Sequence, residues 1–503
     1  MTARTLMVQG TASSAGKSVL VAALCRILRQ DGYKVAPFKS QNMALNSFVT
    51  KSGGEIGRAQ AVQAEAAGIE PTVDMNPVLL KPQADATSQV IVLGVAQSVT
   101  DAAEYYKDNH KLLPVISESL AKLKKDYDVV VIEGAGSPAE VNLMDREIAN
   151  MRIAELAQAP VILVADIDRG GVFASIVGTL QLLPPKHRDR IKGLVINKFR
   201  GDISLLQPGI DFIEKKCRRP VLGVIPYMRN LAVAQEDSVY LDERRAYFKE
   251  GCPDVCVIRL PHISNFDDFD PLETYCNVRY VGSVEKIGDP DLIILPGTKG
   301  TISDLHFLHH SGLAAKIIEK AGSGTPVFGL CGGYQMLGWK ITDHVNAESD
   351  VSEAEGLGLL EFETVFAADK ITSQVKGSVE AGRGLLAGMQ GIDVAGYEIH
   401  MGRSRGQRSD YVFKITGSSS TPSGYDDGAM DRTGLVFGSY MHGVFKNAEF
   451  TRRLVNNLCS LRNLPPPAGA LPDHDRAYDD LAATVRRSLN MDGLYDIIFL
   501  KRG

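Results

Sequence analysis

The chain has 503 residues, room for about three domains, and its 44% hydrophobic and 23% charged content is that of a soluble protein with ample core. A formal net charge of −5 argues against a nucleic-acid surface, and no apolar run approaches the ~18 residues of a membrane span. Seven cysteines without paired spacing, Cys252 and Cys256 included, give neither a disulfide framework nor a zinc set; with an N-terminus that enters a strand directly and shows no signal peptide, they point to the reducing cytoplasm.

Short β-rich runs alternate with helical patterns through the first half. Strands are predicted at 5–9, 34–38, 89–93, 128–133, 161–165, 193–197 and 221–225, several apolar throughout, as strands covered on both faces are. Between the first two, Leu20, Val21, Leu24, Ile27 and Leu28 fall on one stripe of a helix starting at Lys17. This alternation predicts a doubly wound, mostly parallel α/β sheet.

The loop Gly10-Thr11-Ala12-Ser13-Ser14-Ala15-Gly16-Lys17-Ser18 joins the first strand to that helix. Its successive backbone N–H groups can wrap phosphate oxygens at a helix N-terminus. Gly10, Thr11, Ser13, Ala15 and Gly16 would line the cradle, Lys17 would reach the terminal phosphates, and the Ser18 hydroxyl would sit on Mg²⁺. Five residues rather than four separate Gly10 from Gly16. Further loops fall at predicted strand ends, where open α/β sheets bind ligands. They start at Lys39, at Glu133, at Asp166 and at Asn197. Glu133 ends an apolar strand and suits Mg²⁺ beside a triphosphate, and the Asn197 amide could read a purine edge.

Near Asn230 the pattern lapses into a charged stretch. The expected division is 1–229 as a nucleotide-binding domain, 230–250 as a linker, 251–449 as a second domain and 450–503 as a helical extension whose final helix follows the break Pro465-Pro466-Pro467. Strands follow at 255–260, 277–281, 292–295 and 326–330, then shorter strands and polar loops over 359–441. In the last helix Leu481, Val485 and Leu489 share a face.

The strand at 326–330 runs into Gly329-Leu330-Cys331-Gly332-Gly333 and a helical run beyond. G-x-C-x-G is the thiol form of a nucleophile elbow, in which glycines leave room for a strained turn that projects the side chain. A thiol nucleophile needs a base and oxyanion donors. The backbone N–H groups near Gly297 and Thr298, in Leu295-Pro296-Gly297-Thr298-Lys299-Gly300, and that of Gly332 are the candidate donors. His442, after the β-like run 435–440, is the candidate base, and His400 is its rival.

Twelve runs carry a family resemblance. They are GTASSAGKS from Gly10, PFKSQNMALNS from Pro37, EIGRAQ from Glu55, NPVLLKP from Asn76, VIEGAGSPAEVNL from Val131, DIDRGGVFAS from Asp166, NKFRGD from Asn197, ISNFDDFDPL from Ile263, LPGTKGT from Leu295, LCGGYQMLG from Leu330, GYEIHMG from Gly396 and YMHGVF from Tyr440. In this order they make the chain similar to the cobyric acid synthase family of glutamine-dependent amidases in cobalamin biosynthesis. The resemblance implies a dethiobiotin synthetase-like ATP domain, whose P-loop has the five-residue spacing, followed by a flavodoxin-like class I glutamine amidotransferase domain of the triad type. It implies ATP with Mg²⁺, L-glutamine as nitrogen donor, and a corrinoid acceptor, adenosylcobyrinic acid a,c-diamide. It also supports His442 as base to Cys331. Two positions depart from the pattern. Val444 stands two residues after His442, where common class I enzymes carry Glu, so the third group is left open and a Cys–His dyad stays in play. His262 stands where many relatives have Arg. The rival readings are an a,c-diamide synthase or another ligase of the same build, and a P-loop switch whose second half only binds.

Overall fold

Strict alternation along the strands explains how the first half is layered. Leu6 and Val8 face one apolar cluster and Met7 the other; Val129 and Val131, and then Val130 and Ile132, repeat the split. A strand with apolar residues on both faces must be covered on both. Six such strands form a parallel sheet in the computed structural model: β1 (Arg4–Gly10), β2 (Val35–Phe38), β3 (Val129–Glu133), β4 (Val161–Asp166), β5 (Ile191–Phe199) and β6 (Val221–Pro226). Their order is β6-β5-β4-β1-β3-β2. The structure describes residues 3–84, 87–228, 249–349, 351–406, 410–419 and 424–499, so most of the linker expected at 230–250 lies outside the described residues.

The strand expected at 89–93 is present as Thr87–Val92, but not in this sheet. It belongs to a side sheet with Gln41–Met43, Val78–Ala84 and Val95–Asp101. Parallel pairing needs a crossover of a dozen or more residues. Only Leu93-Gly94 separate this strand from the next, and the two pair antiparallel.

The second half repeats the layering. Val255 and Val257 face one cluster and Cys256 and Ile258 the other. Here β7 (Asp254–Ile258), β8 (Asn277–Val281), β9 (Leu292–Leu295), β10 (Val327–Leu330) and β11 (Val436–Ser439) lie parallel in the order β8-β7-β9-β10-β11. That is the 2-1-3-4-5 order of flavodoxin-like sheets, with ligands expected outside the carboxyl ends. Between β10 and β11 the chain builds a long antiparallel hairpin, Glu363–Val379 with Asp393–Arg405, where short strands were expected. It reaches the first half: Lys370 pairs with Glu55, the Gln374 amide donates to the Val49 carbonyl, and Val49 packs with Tyr397 and Ile399.

The stretch expected as one helical extension divides. Helix Ala448–Leu461 puts Phe450, Leu454 and Leu458 into the core of the second half. Helices His474–Ser488 and Met491–Phe499 return to the first, where Tyr478, Leu481, Val485, Leu494 and Ile498 join Leu20, Leu24 and Leu28 of helix Lys17–Gln30. Arg26 of that helix is ion-paired to Asp475 and Asp479, and Arg486 to Asp31. Leu489 is buried but lies past the helix end, in extended backbone that bridges Gly223. Among the described residues no helix is long and apolar enough to cross a membrane.

Candidate active site

The turn after β10 has no room for side chains next to the nucleophile. A Cβ on Gly333 would lie 2.0 Å from the Leu295 carbonyl oxygen, and one on Gly329 would lie 2.7 Å from Tyr334 Cα. Cys331 itself sits at φ 52°, ψ −109°, a conformation few L residues adopt. The strained backbone aims its sulfur into a small pocket of about 30 Å³, where it donates to the Ile399 carbonyl at 3.4 Å and meets the His442 ring. The side chain is 6% exposed.

His442 follows β11. Its backbone is pinned by reciprocal bonds to Tyr397, at 2.8 and 3.1 Å, and its ring stacks on the Tyr397 ring with centroids 5.3 Å apart. The position left open by Val444 has a candidate in Asp268, from the 3-10 helix Phe266–Thr274 that follows β7. One Asp268 oxygen lies 2.7 Å from His442 Nδ1, and the other accepts the Gly443 N–H at 2.8 Å. Burial alone would lower the ring's pKa; the Asp268 carboxylate and the Cys331 sulfur outweigh it and push it up to about 10. The carboxylate on Nδ1 orients the ring so that Nε2 faces the sulfur, and it favours the protonated ring whenever the sulfur gives up its proton. His400 lines the same pocket, but its Nδ1 lies 2.8 Å from the Gly402 carbonyl and its ring stacks on Tyr440. Asp268 belongs to a run quoted above for the resemblance, without a role. A signal was present: two adjacent carboxylates between Phe266 and Phe269, just past a strand end, have to find partners if buried.

Replacing that carboxylate by an amide tests its part. Asp268→Asn is expected to lower glutamine hydrolysis by about 10²- to 10⁴-fold, as wrong-tautomer variants of other triads do. The His442 pKa should fall with it, readable by NMR titration. Unchanged hydrolysis would make the site a dyad.

Of the expected oxyanion donors, Thr298 and Gly332 line this pocket and Gly297 lies beside it. A Cβ on Gly297 would lie 3.0 Å from His442 Cε1, and one on Gly332 would lie 3.2 Å from Thr298 N. Thr298 is fixed by its hydroxyl, bonded to the His262 carbonyl at 3.1 Å and to Asp304. His262 also lies 2.7 Å from Asp304, so it serves this loop. The far wall is charged. Lys299 faces Glu348 at 3.7 Å; Lys81 and Lys370 both pair with Glu55. Burial lowers Lys370 to about 8, helped by Lys81 and Lys299, while Glu55 opposes the fall. Lys81 and Glu55 come from the first half of the chain, Lys299, Glu348 and Lys370 from the second.

The other expected site gathers at the carboxyl ends of β1 to β5, around a cavity of about 480 Å³. Gly16, at φ 93°, is pressed by the Asn197 amide, which lies 2.1 Å from where a Cβ would go. Asn197 donates to the Ala15 carbonyl at 2.9 Å and accepts the Lys198 N–H at 2.8 Å; its amide thus braces the loop while the residue lines the cavity. Lys17 Nζ reaches the Ala12 and Gly136 carbonyls at 3.0 and 3.1 Å, spanning the loop from Gly10 to Lys17 and the loop after β3. Ser13, Ser18 and Glu133 line the same cavity. Thr11 donates its N–H to the Val164 carbonyl at 2.9 Å, and Ala15 is buried beneath the loop. Glu133 accepts from Ser18 at 2.8 Å, from Lys39 at 2.9 Å and from Gln63 at 2.5 Å. Burial opposes its charge, yet Lys39, Gln63 and Lys17 hold its pKa below the ordinary carboxylate range. A hydroxyl beside an ionised carboxylate at a phosphate loop is the hard-oxygen donor set that suits Mg²⁺.

The two sites correspond to two known families. Residues 6–239 match the CobQ/CobB/MinD/ParA nucleotide binding domain, and residues 254–450 match the CobB/CobQ-like glutamine amidotransferase domain. Over 497 residues the chain is 55% identical to a cobyric acid synthase of Dehalococcoides mccartyi, covering 99% of this chain and 98% of the relative. It is 51% identical over 503 residues to one from Streptococcus sanguinis, covering 98% and 99%. It is 49% identical over 511 residues to one from Desulfitobacterium hafniense, covering 99% and 98%.

Proposed function

This chain belongs to the cobyric acid synthase family, a glutamine-dependent amidating ligase of cobalamin biosynthesis, and on that premise we propose that it amidates the b, d, e and g propionates of adenosylcobyrinic acid a,c-diamide. The observation that carries this reading is the pairing of a Cys331–His442–Asp268 line with a phosphate-loop cavity across one interface. The division of the chain near 230–250 follows the same proposal.

In the glutaminase half, the Cys331 sulfur attacks the side-chain amide of glutamine while its proton rests on His442. The tetrahedral oxyanion forms where the N–H groups of Thr298 and Gly332 converge beside Gly297; each such donor is worth ~3–4 kcal/mol of barrier. His442 gives its proton to the departing ammonia, then takes one from water, which splits the thioester to glutamate. Glutamine enters with a carboxylate and an ammonium on its α-carbon, and the pocket wall meets them with Lys81, Lys299 and Lys370 set against Glu55 and Glu348.

In the other half, a propionate carboxylate attacks the terminal phosphorus of ATP, releasing ADP and leaving an acyl phosphate. Lys17 and the loop N–H groups hold the phosphate oxygens, and positioning with charge stabilisation supplies most of the acceleration. Ser18 and Glu133 would hold Mg²⁺, which when bound would neutralise phosphate charge. Ammonia displaces phosphate and gives the amide. In bulk water it would become ammonium, so it has to cross the interface under cover. Asn265, buried between them, bonds both Asn46 and Ser47, and Ser47 takes a bond from Lys81, whose own strand pairs with the one carrying Asn42, which lines the larger cavity.

Mass spectrometry tests the assignment. With ATP, glutamine and the corrinoid diamide, each exchange of OH for NH₂ is expected to lower the product mass by about one dalton, with one ADP and one glutamate formed each time. A corrinoid left unchanged while a different carboxylate is amidated would overturn it.

A further inference from the structure

The helix Arg58–Ala67 lies between the two sites and touches both. Near its middle, Gln63 donates to Glu133 at 2.5 Å and to the Ser18 carbonyl at 3.3 Å. At its start, Arg58 points the other way. It is 5% exposed, and its guanidinium donates to Asp267 at 2.9 Å and to Glu65 of its own helix at 3.2 Å. Asp267 precedes Asp268, the residue that holds His442 and Gly443. Two neighbouring carboxylates, 2% and 0% exposed, repel each other strongly at low dielectric unless each is matched. Asp268 is matched by His442; Asp267 is matched by two cations, Lys446 at 3.4 Å and the buried Arg58 guanidinium at 2.9 Å, which together hold its pKa below the ordinary carboxylate range against burial. A second line of contact runs beside the first. The Arg58 guanidinium lies 5.5 Å from the Phe48 ring centroid, Phe48 packs on Tyr397 at 5.7 Å, and Tyr397 stacks on His442.

We propose that Arg58, carried by the nucleotide-binding half, is a positioning residue for the glutaminase: it compensates Asp267 so that Asp268 stays on His442, and it seats the Phe48–Tyr397 stack against the ring. The inference rests on the reading of Cys331 and His442 given above. It makes the glutaminase site a product of both halves. Without the guanidinium the pair of carboxylates moves apart, and His442 loses its orientation toward sulfur while the glutamine pocket keeps its walls.

The test uses the full chain with Arg58→Met, Arg58→Lys and His442→Ala. Arg58→Met is expected to lower kcat for glutamine hydrolysis by about 10- to 100-fold, the scale for a slightly misplaced catalytic group, with KM for glutamine little changed. Amidation driven by added ammonium chloride should stay near wild type, and Arg58→Lys, which keeps the charge, should recover most of the loss. Wild-type kcat in Arg58→Met while His442→Ala is inactive overturns this inference alone. Equal loss of ammonia-driven amidation, or an Arg58→Lys variant no better than Arg58→Met, overturns it too. A His442→Ala variant that still hydrolyses glutamine would instead overturn the reading of the site on which it rests.

Discussion

Cys331→Ala is expected to abolish amidation fed by glutamine, by about 10⁴-fold or more, while amidation fed by ammonia continues. The nucleophile has no substitute in its pocket: among the described residues lining it, no other side chain carries a thiol, and the hydroxyls of Ser264, Thr298 and Thr301 lie on other segments, Thr301 at the start of helix Thr301–His310. Alanine fits the turn as cysteine does, since what the backbone demands bare are Gly329 and Gly333. Only one sulfur contact, with the Ile399 carbonyl, and the bond to His442 are lost. The phosphate loop touches none of these atoms. The measurement compares amide formation with glutamine against ammonium chloride at mildly alkaline pH, where free ammonia is available. Glutamine-fed turnover in the variant would remove sulfur from the mechanism, and parallel loss of both supplies would mean that the two sites cannot be separated.

Lys17→Ala is expected to do the opposite, stopping amidation from either nitrogen source by about 10²- to 10³-fold, the scale for one charge-stabilising donor. Lys17 is 7% exposed, and its ammonium ties the loop from Gly10 to Lys17 to the loop after β3. Removing it takes away the cation proposed to meet the terminal phosphate and the donor to the Ala12 and Gly136 carbonyls. Basal glutamine hydrolysis, measured without acceptor, should persist, because Cys331, His442 and Asp268 lie in the other half. Amidation from ammonia at wild-type rate would show that the cradle serves another purpose.

Short-range features were legible in the sequence. The elbow, the phosphate loop and the parallel strands are set by neighbours in the chain: glycines where backbones touch, apolar runs where both faces are covered. The strands β8 and β9 were placed to the residue. What escaped depends on distant partners. Asp268 acts on a histidine 174 positions away, and nothing local marks which of two adjacent carboxylates turns toward it. Strand Glu363–Val379 reads as broken because its middle, Ala367-Ala368-Asp369-Lys370, lacks β-branched and aromatic residues and its register shifts there, yet that segment delivers Lys370 to Glu55. The strand at 89–93 was given to the wrong sheet because an apolar run shows that a strand is covered, not by what.

The return of the last two helices to the first half sets an order of events on the ribosome. The apolar stripe of helix Lys17–Gln30 is complete as soon as it leaves the exit tunnel, but the side chains of His474–Ser488 and Met491–Phe499 that cover it are made only after the whole second half. Exposed apolar surface on a growing chain invites misassembly. The nucleotide-binding half, translated before the glutaminase half, is thus finished only after it, and nascent chains must hold that stripe in a provisional state through the synthesis of the entire glutaminase.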